Sequence, residues 1–386
     1  MILGETTIGE CISEVSEKTT ENNQYPILTS SQSGIVSQEE YFNKQVASKD
    51  NTGYKIIRKG QFTYRAMSDT GRFYINRLTS HDIGIVSPAY PVFEIRNDSP
   101  ILPEYLLWFF RSELFQTCVA DLSTGSTRVS LKLPSICGIK INIISKDEQK
   151  KIVTTLETID RLIEQCHKHI SDLDVFMMAK FNEMFCDDQY EIVKASDVCD
   201  FITKGTTPAK GEIFDEYREN AIPYLKVYNL SFTGELLFDQ ESQYIDKSVH
   251  DGKLARSKVY PNDVLMNIVG PPLGKFSLVT DEFDEWNINQ AVAIFRAKER
   301  ILPRFLLAAL MQPKIMRPFI EQAVGVRQLN ISLEQCRNLS FPLPSIDEQQ
   351  EFVDFSEKIY VSKENTNRLL GNLEILRKTK LQEYFN

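Results

Sequence analysis

The chain repeats part of its own sequence after 200 residues. Residues 101–185 align with residues 301–385 without a gap, and 19 of the 85 aligned positions are identical, against roughly 5 expected from average residue usage. Both copies contain an Asp-Glu-Gln triplet, beginning at Asp147 and Asp347, and both end on phenylalanine, at Phe185 and Phe385. This duplication predicts an internal pseudo-two-fold axis, which makes the chain a one-chain analogue of a symmetric dimer.

Each copy ends in a long helical segment of about 38 residues, hence about 57 Å if unbroken. In the first copy, apolar residues recur in steps of four and three, the heptad pattern of a helix that packs against a partner. They are Ile152, Leu156, Ile159, Ile163, Cys166, Ile170, Leu173, Met177, Phe181 and Met184. The second copy offers Phe352, Phe355, Ile359, Leu369, Leu373 and Leu376. Ser362 and Thr366 interrupt this second seam.

The simplest partner for the first helix is the second helix. We take as candidate pairing or subunit-docking residues Ile152, Ile159, Leu173, Phe185, Phe352, Ile359, Leu373 and Phe385.

The segments before the helices predict mixed α/β domains, and 386 residues are enough for two or three. Short apolar and aromatic runs broken by turn residues read as strands at 54–57, 61–64, 72–75 and 90–95. The second half has similar runs at 222–227, 264–269, 276–279 and 291–295. Proline opens a predicted helix at Pro103, over 102–115, and again at Pro303.

Cysteine spacing and hydropathy argue against several protein classes. The seven cysteines contain no Cys-x-x-Cys pair, so we expect reduced thiols in small apolar spaces. Cys166 and His169 supply at most two ligands on one helix face, and we predict no metal site. No run of 18 apolar residues and no signal peptide is present, so we expect a cytoplasmic protein that does not bind a membrane.

The duplicated motifs resemble a known family. Each half has an Ile-Leu-Pro helix start, a loop with glycine and arginine, the Asp-Glu-Gln triplet and a Lys-x-x-Glu-x-Phe end. The loops are Gly125–Arg128 and Gly325–Arg327, where the arginine is one position out of register. Together with Gly205–Pro208, these motifs resemble the specificity subunit of type I restriction-modification systems.

The resemblance implies an α+β protein in which two mixed α/β target recognition domains are related by a pseudo-two-fold axis. Two long antiparallel coiled-coil-like helices join the domains. The boundaries are 1–145 for the first domain, 146–189 for the first helix and link, 190–344 for the second domain and 345–386 for the second helix. Each domain is expected to read one half of an interrupted DNA target, and the helices hold the two readers apart.

The same resemblance implies several partners. These are double-stranded DNA, two methyltransferase subunits docked on the helices, and nuclease-translocase (restriction) subunits bound through them. We expect no cofactor in this chain, because S-adenosylmethionine, ATP and Mg²⁺ belong to the partner subunits.

A net charge of -9 is unusual for a DNA-binding protein, because cations that contact phosphate supply much of the affinity. Basic residues nevertheless cluster locally, with six between Lys55 and Arg77 against the single acid Asp69. The candidate DNA contacts are Lys55, Arg58, Lys59, Arg65, Arg72, Arg77, Arg128, Lys204, Thr206, Lys226, Lys253, Arg256 and Arg327. We expect the isolated chain to bind DNA weakly and a basic partner to add phosphate contacts.

Catalytic motifs are missing. Gly270–Lys275 is one residue too short for a phosphate-binding loop and is followed by Phe276. Glu148 and Lys150 have nuclease spacing, but acids at a helix start favour the helix dipole. We therefore predict a non-catalytic specificity subunit. The alternative is a stand-alone sequence-specific DNA-binding regulator, whereas a self-sufficient methyltransferase or nuclease would need a cofactor or metal motif.

Overall fold

The computed structural model describes residues 2–38, 50–122, 129–185, 189–322 and 329–385. The chain divides into two compact units, which comprise residues 1–166 with 368–386 and residues 167–367. None of the described helices is both long enough and apolar enough to cross a membrane. Arg128 and Arg327, two of the candidate DNA contacts, lie outside the described residues.

The first unit is built from short strands and helices around one principal core. Its helices are α1 (Ile8–Cys11), α2 (Pro103–Arg111), α3 (Glu113–Leu122), α4 (Leu133–Cys137) and the first half of α5 (Lys146–Phe185). Its strands are β1 (Gly4–Thr7), β2 (Ile12–Glu14), β3 (Leu28–Ser31), β4 (Gly34–Ser37), β5 (Lys55–Arg58), β6 (Phe62–Thr63), β7 (Met67–Ser68), β8 (Asn76–Arg77), β9 (Ile83–Val86), β10 (Val92–Ile95), β11 (Val129–Ser130) and β12 (Lys140–Ile143). An antiparallel sheet of order β2-β10-β6-β8 lies beside the pairs β1-β12, β3-β4, β5-β9 and β7-β11.

The second unit follows a related plan. Its helices are the rest of α5, then α6 (Ala195–Val198), α7 (Lys247–Asp251), α8 (Pro303–Leu310), α9 (Pro313–Gln322), α10 (Leu333–Arg337) and the first half of α11 (Ile346–Phe385). Its strands are β13 (Glu191–Lys194), β14 (Cys199–Lys204), β15 (Ile213–Phe214), β16 (Ile222–Leu225), β17 (Tyr244–Ile245), β18 (Lys258–Val259), β19 (Val264–Asn267), β20 (Val269–Gly270), β21 (Phe276–Leu278), β22 (Trp286–Ile288), β23 (Val292–Ala297), β24 (Leu329–Asn330) and β25 (Ser340–Leu343).

The structural repeat extends further than the sequence repeat. The sheet β14-β23-β19-β21 has the same order as β2-β10-β6-β8, and the pairs β13-β25 and β20-β24 match β1-β12 and β7-β11. The second unit adds a five-stranded sheet, β15-β17-β16-β22-β18, in which β16 and β22 are parallel. Both units therefore share a four-stranded sheet and two strand pairs, and they differ in their remaining strands.

Two local predictions fail for identifiable reasons. The helix predicted over 102–115 breaks at Ser112, whose hydroxyl donates to the Phe109 carbonyl at 2.7 Å and accepts from the Phe115 amide at 3.2 Å. The strand predicted over 72–75 does not form. The backbone of buried Phe73 bonds instead to the Gln116 side chain, at 3.2 and 2.9 Å.

A buried glutamine joins each long helix to its unit. Gln149 accepts from the Leu102 amide at 2.7 Å and donates to the carbonyls of Pro100 and Ile144 at 2.8 and 2.9 Å. The third residue of the Asp-Glu-Gln triplet therefore links the helix start to the Ile-Leu-Pro turn.

Gln349 repeats the arrangement in the second unit. It accepts from the Leu302 amide at 2.8 Å and donates to the carbonyls of Arg300 and Pro344 at 3.1 and 2.9 Å. Both glutamines are fully buried, so each amide satisfies backbone groups that water does not reach.

Within the first unit, α5 and α11 pair through a short apolar seam. Ile159, Ile163 and Cys166 pack in one cluster with Leu370 and Leu373. At the two helix ends the seam gives way to the principal core of the unit, which takes up Ile152 and Phe385. The Phe385 ring lies 5.0 Å from the Tyr105 ring.

Within the second unit the two helices run antiparallel. Asp174 meets Lys363, Phe176 meets Phe355, and Phe181 meets Phe352. The core cluster includes Phe185, Phe352 and Ile359, with Leu173 packed against it. The predicted α+β class with two long paired helices is confirmed.

The seam predicted for the second copy is partly wrong. Leu369 and Leu376 are 51% and 42% exposed, whereas Lys363, which is 2% exposed, occupies a buried position. Its ammonium lies 2.9 Å from Asp174 and 2.8 Å from Glu235. Burial lowers the pKa of Lys363, but the hydrogen bonds to these two carboxylates outweigh burial and raise it. A charged residue therefore fills the gap left by Ser362 and Thr366.

Replacing Gln349 should destabilise the second unit much more than replacing its neighbour. Gln349→Ala removes three buried hydrogen bonds, at about 1 kcal/mol each, so we expect the free energy of unfolding to fall by about 3 kcal/mol. Gln350 is exposed, and Gln350→Ala should change the free energy of unfolding by less than about 0.5 kcal/mol. Urea denaturation of the two variants measures the difference. Equal losses would contradict the role of the buried amide.

Candidate nucleic-acid interface

A polar cleft of about 590 Å³ opens in the first unit. It lies among β3, β7 and the segments that adjoin β4, β5 and β9. Hydroxyl, amide, tyrosine and arginine side chains line it, including Ser31, Gln32, Gln38, Tyr54, Arg65, Ser68, Thr70, Arg72, Tyr74 and Tyr90. Such groups can exchange hydrogen bonds with base edges and stack on bases.

The aromatic residues of the basic stretch divide into two sets. Phe62, Tyr64 and Phe73 are buried in the core, and the Tyr64 hydroxyl donates to the Leu131 carbonyl at 3.1 Å. Tyr54 and Tyr74 line the cleft instead.

Most candidate cations of the first unit are already paired with carboxylates. Arg58 contacts Glu17 at 2.8 Å, and Lys59 contacts Asp82 at 3.2 Å. A paired cation gains less from a phosphate because it must first give up a carboxylate.

Two candidate arginines of this stretch are paired with helix residues. Arg72 lies 2.7 Å from Glu113 of α3, and this hydrogen bond raises the pKa of Arg72. Arg77 lies 2.5 Å from Glu104 of α2 and also donates to the Gly60 carbonyl at 3.0 Å. Arg77 is half-buried, so its geometry is that of a structural bond between β8 and α2.

Arg65 and Lys55 differ from these cations. Neither forms an ion pair with any carboxylate in the described ranges, and Arg65 is exposed within the cleft. Arg65 is therefore the cation in this cleft that is best placed to contact DNA.

In the second unit, Gly205 sets the position of the predicted Gly205–Pro208 segment. A Cβ on Gly205 would lie 2.2 Å from the carbonyl oxygens of Ile288 and Asn289, so only glycine fits. The next residue, Thr206, accepts from Arg256 Nε at 3.1 Å through its hydroxyl and from the Tyr224 hydroxyl at 3.2 Å through its carbonyl.

This arrangement orients Arg256 without neutralising it. Thr206 engages only one guanidinium nitrogen of Arg256, and no described carboxylate forms an ion pair with that arginine. Lys204 is exposed at the end of β14, on the other side of Gly205. Arg256 and Lys204 thus lie at one loop, a grouping that their separation in sequence does not reveal.

The remaining candidates of this unit have defined neighbours. The Lys226 ammonium lies 5.8 Å from the centre of the Tyr228 ring, and the Tyr228 hydroxyl donates to Gln243 at 3.0 Å. Lys253 is ion-paired with Glu212. Lys226 forms no ion pair with a described carboxylate, whereas Lys253 is already compensated.

His250, Asp251 and Glu285 bring their potential ligand atoms within 4.8 Å of one another. Lysines already compensate both carboxylates. Lys258 contacts Asp251 at 2.5 Å and Glu285 at 3.3 Å, and Lys247 contacts Glu285 at 3.2 Å.

The hydrogen bonds of Asn287 determine the tautomer of buried His250. The Asn287 Oδ1 atom accepts hydrogen bonds from the Ser257 hydroxyl and the Ile288 amide, each at 2.9 Å. Its Nδ2 must therefore face His250 Nδ1, 3.0 Å away, and donate to it. Nδ1 is then the acceptor, so Nε2 carries the proton and has no lone pair for a metal. This donor set fits a structural charge cluster and does not fit a metal site.

Sequence reasoning missed three polar residues of the first unit. Gln32 and Gln38 line the cleft, and Lys18 faces Lys55 across a β-bridge. No local sequence pattern marks these residues, because pairing between distant segments brings them to the site.

Comparison with known proteins gives a consistent result. A family model described as "Type I restriction modification DNA specificity domain" matches residues 7–173 and 187–374. The chain is similar to the type I restriction enzyme EcoBI specificity subunit of Escherichia coli, with 31% identity over 32% of this chain and 26% of that protein. It is also similar to the MjaVIII specificity subunit of Methanocaldococcus jannaschii, with 23% identity over 70% of this chain and 66% of that protein. The matched parts thus span less than two thirds of each relative.

Solved structures show the same fold. A chain from a study of complex assembly and conformational transition of the type I R-M system has a TM-score of 0.58 at 16% identity, covering 99% of this chain and 98% of that one. The type I restriction-modification S subunit from M. genitalium has a TM-score of 0.55 at 14% identity, covering 99% and 96%.

The buried histidine should make stability depend on pH. Burial lowers the pKa of His250 in the folded chain. As pH falls through about 6.5, His250 therefore takes up a proton in the unfolded chain before it does so in the folded chain. Stability should therefore decrease below that pH, by up to about 1.4 kcal/mol per pH unit. Melting temperatures between pH 7.5 and 5.5 should fall less for His250→Gln than for the wild type. His167→Gln, at an exposed position, is the control, and an unchanged pH profile in His250→Gln would contradict the assignment.

Proposed function

The chain belongs to the type I restriction modification DNA specificity family, and from this membership we propose that it is the DNA specificity subunit of a type I restriction-modification complex. The observation that carries the proposal is the tandem family match, with one matched range in each half of the chain. The matches favour this role over that of a stand-alone DNA-binding regulator. The chain selects the DNA, and partner subunits carry out the chemistry.

We assign one half of the target to each recognition domain, residues 1–145 and 190–344. In the first domain, the cleft offers Arg65 with Gln32 and Gln38. Arginine can pair with guanine, and glutamine with adenine, through two hydrogen bonds each. In the second domain, Arg256 and Lys204 are the corresponding cations. Because the domains differ in these side chains, the two half-sites should differ in sequence.

The charges of the chain support a division of labour with its partners. Net charge is -9, and several candidate cations are compensated by carboxylates. Methyltransferase subunits should therefore supply additional phosphate contacts, besides S-adenosylmethionine and the methyl transfer itself. Restriction subunits should bring ATP- and Mg²⁺-dependent chemistry.

Methylation mapping tests the proposed function. The chain should be co-expressed with its cognate methyltransferase subunit in a host without DNA methylation. We expect modified adenines at one interrupted motif with two unlike halves, because two different domains read it. No methylation by an assembled complex would contradict the proposal, and DNA binding by the isolated chain would then favour a regulator.

Single substitutions assign each half of the motif. Arg65→Ala should relax the sequence requirement in one half and Arg256→Ala in the other, since each base contact contributes about 1–3 kcal/mol. Arg58→Ala and Lys253→Ala, at ion-paired positions, are the matched controls and should leave the motif unchanged.

Two equivalent apolar pairs on the long helices support docking of two methyltransferase subunits. Val175 and Phe176 on α5 are 64% and 52% exposed, and Ile375 and Leu376 on α11 are 67% and 42% exposed. These pairs occupy the same positions of the 200-residue repeat. A duplicated chain that offers one docking surface per repeat suits two copies of one partner.

Removing one apolar pair should remove one partner. Val175→Asp and Ile375→Asp should each reduce bound methyltransferase subunits from two to one, because a carboxylate is costly to bury in an apolar contact. Native mass spectrometry of the complex counts the subunits. Val361→Asp is the control, because Val361 is also exposed but its repeat counterpart is Arg161. Two partners bound to both repeat variants would contradict this docking site.

A further inference from the structure

Two lysines of the first unit face each other across neighbouring strands. Lys18 and Lys55 form an isolated antiparallel bridge. The flanking bonds run from the Ile56 amide to the Glu17 carbonyl and from the Thr19 amide to the Tyr54 carbonyl, each at 2.9 Å. Because these bonds flank the two lysines, the pair is of the non-hydrogen-bonded kind. Cα atoms in such pairs are about 4.5 Å apart, and both side chains leave from the same face.

Within the described residues, this close pair has no compensating acid. Neither ammonium forms an ion pair with any carboxylate that the structure describes. The neighbouring acid Glu17 is bound to Arg58 at 2.8 Å, and Asp82 is bound to Lys59. Like charges directly opposite on a sheet are destabilising. The local arrangement therefore costs stability unless an anion lies between the two ammonium groups.

The pair adjoins the polar cleft along the chain, and neither lysine lines it. Tyr54, which precedes Lys55, lines the cleft. On the other side of β5, Lys55 is paired with Val86, the last residue of β9, and the next residue, Ser87, also lines the cleft. Lys18 is exposed and Lys55 is half-buried. Successive residues of a strand project to opposite faces, so an anion held by the two lysines would lie across β5 from the Tyr54 side chain, next to the cleft and not inside it.

We propose that Lys18 and Lys55 together bind backbone phosphate of the DNA duplex beside this cleft. This inference rests on the proposed function. Phosphate contacts carry no sequence information, but they fix the register in which a protein meets the bases. A phosphate held by the lysine pair fixes the position of the duplex relative to the first domain, in which Arg65 and the two cleft glutamines are the groups that we assign to base contacts. A phosphate also relieves the repulsion between the two ammonium groups.

The salt dependence of DNA binding tests the inference. The complex of the full chain with its methyltransferase subunits is titrated with a random-sequence duplex over a range of salt concentrations. Each lost phosphate contact makes the slope of log K against log salt shallower by about 0.9. We expect the double variant Lys18→Gln/Lys55→Gln to lose about 1.8 from the slope and at least about tenfold in affinity at 0.1 M salt.

The control is the double variant Arg58→Gln/Lys59→Gln. It changes the net charge by the same amount in the same domain, but its cations are already paired. An effect of overall charge alone would change the salt slope and the DNA affinity of both variants equally, and that result would overturn the inference. The melting temperature of the Lys18/Lys55 variant should stay unchanged or rise, because like-charge repulsion is removed.

Other outcomes separate this inference from the proposed function. If the wild-type complex binds and methylates DNA and the lysine variant keeps its slope, the phosphate site is refuted and the function stands. If the wild-type complex does neither, the proposed function fails. Calorimetric titration with inorganic phosphate separates the two sources of the anion. Binding that depends on both lysines, with no change in the DNA slope, would identify a free-anion site and overturn the DNA role.

Discussion

The buried side-chain amide at the start of each long helix is the bond on which both units depend. Gln149 and Gln349 each bind three backbone groups of two segments, one group through the amide oxygen and two through the amide nitrogen. Glutamate could not replace them, because a carboxylate cannot donate to two carbonyls. The amide fixes the first turn of the helix against the Ile-Leu-Pro turn. The direction in which each helix leaves its globular core follows from this junction.

Electrostatic compensation decides which charges remain available for recognition. The described cations of the basic stretch are mostly bound to acids, and a buried lysine in the second unit is held by two carboxylates. An acidic chain can therefore still present a small number of uncompensated cations. Among the candidate contacts of the first unit, Lys18, Lys55 and Arg65 form no ion pair with a described carboxylate. The proposed function would need only a few well-placed cations for selection, because the proposed partners would supply the bulk of the phosphate affinity.

Much of this architecture was predictable from the sequence, and the rest depends on contacts between distant segments. Heptad spacing predicted α5, and duplication predicted α11. The exposed positions of Leu369 and Leu376 were not predictable, because Leu370 packs beside Leu373 in the seam of α11. The burial of Lys363 was not predictable either, because its acceptors include Glu235 outside the helices. The equivalent four-stranded sheets share their order without recognisable identity, since a sheet needs only apolar residues in the right register. Ion pairing of the candidate arginines also depended on residues far along the chain.

The division of the chain into units has a consequence for how the protein is made. The second unit is one continuous segment, whereas the first is assembled from residues 1–166 and residues 368–386. During synthesis, the second unit can close as soon as its own residues have emerged, because domains generally fold as units. The first unit must wait with an incomplete core until Leu381, Tyr384 and Phe385 arrive to cover it. The part of the protein translated first is thus the last to be completed.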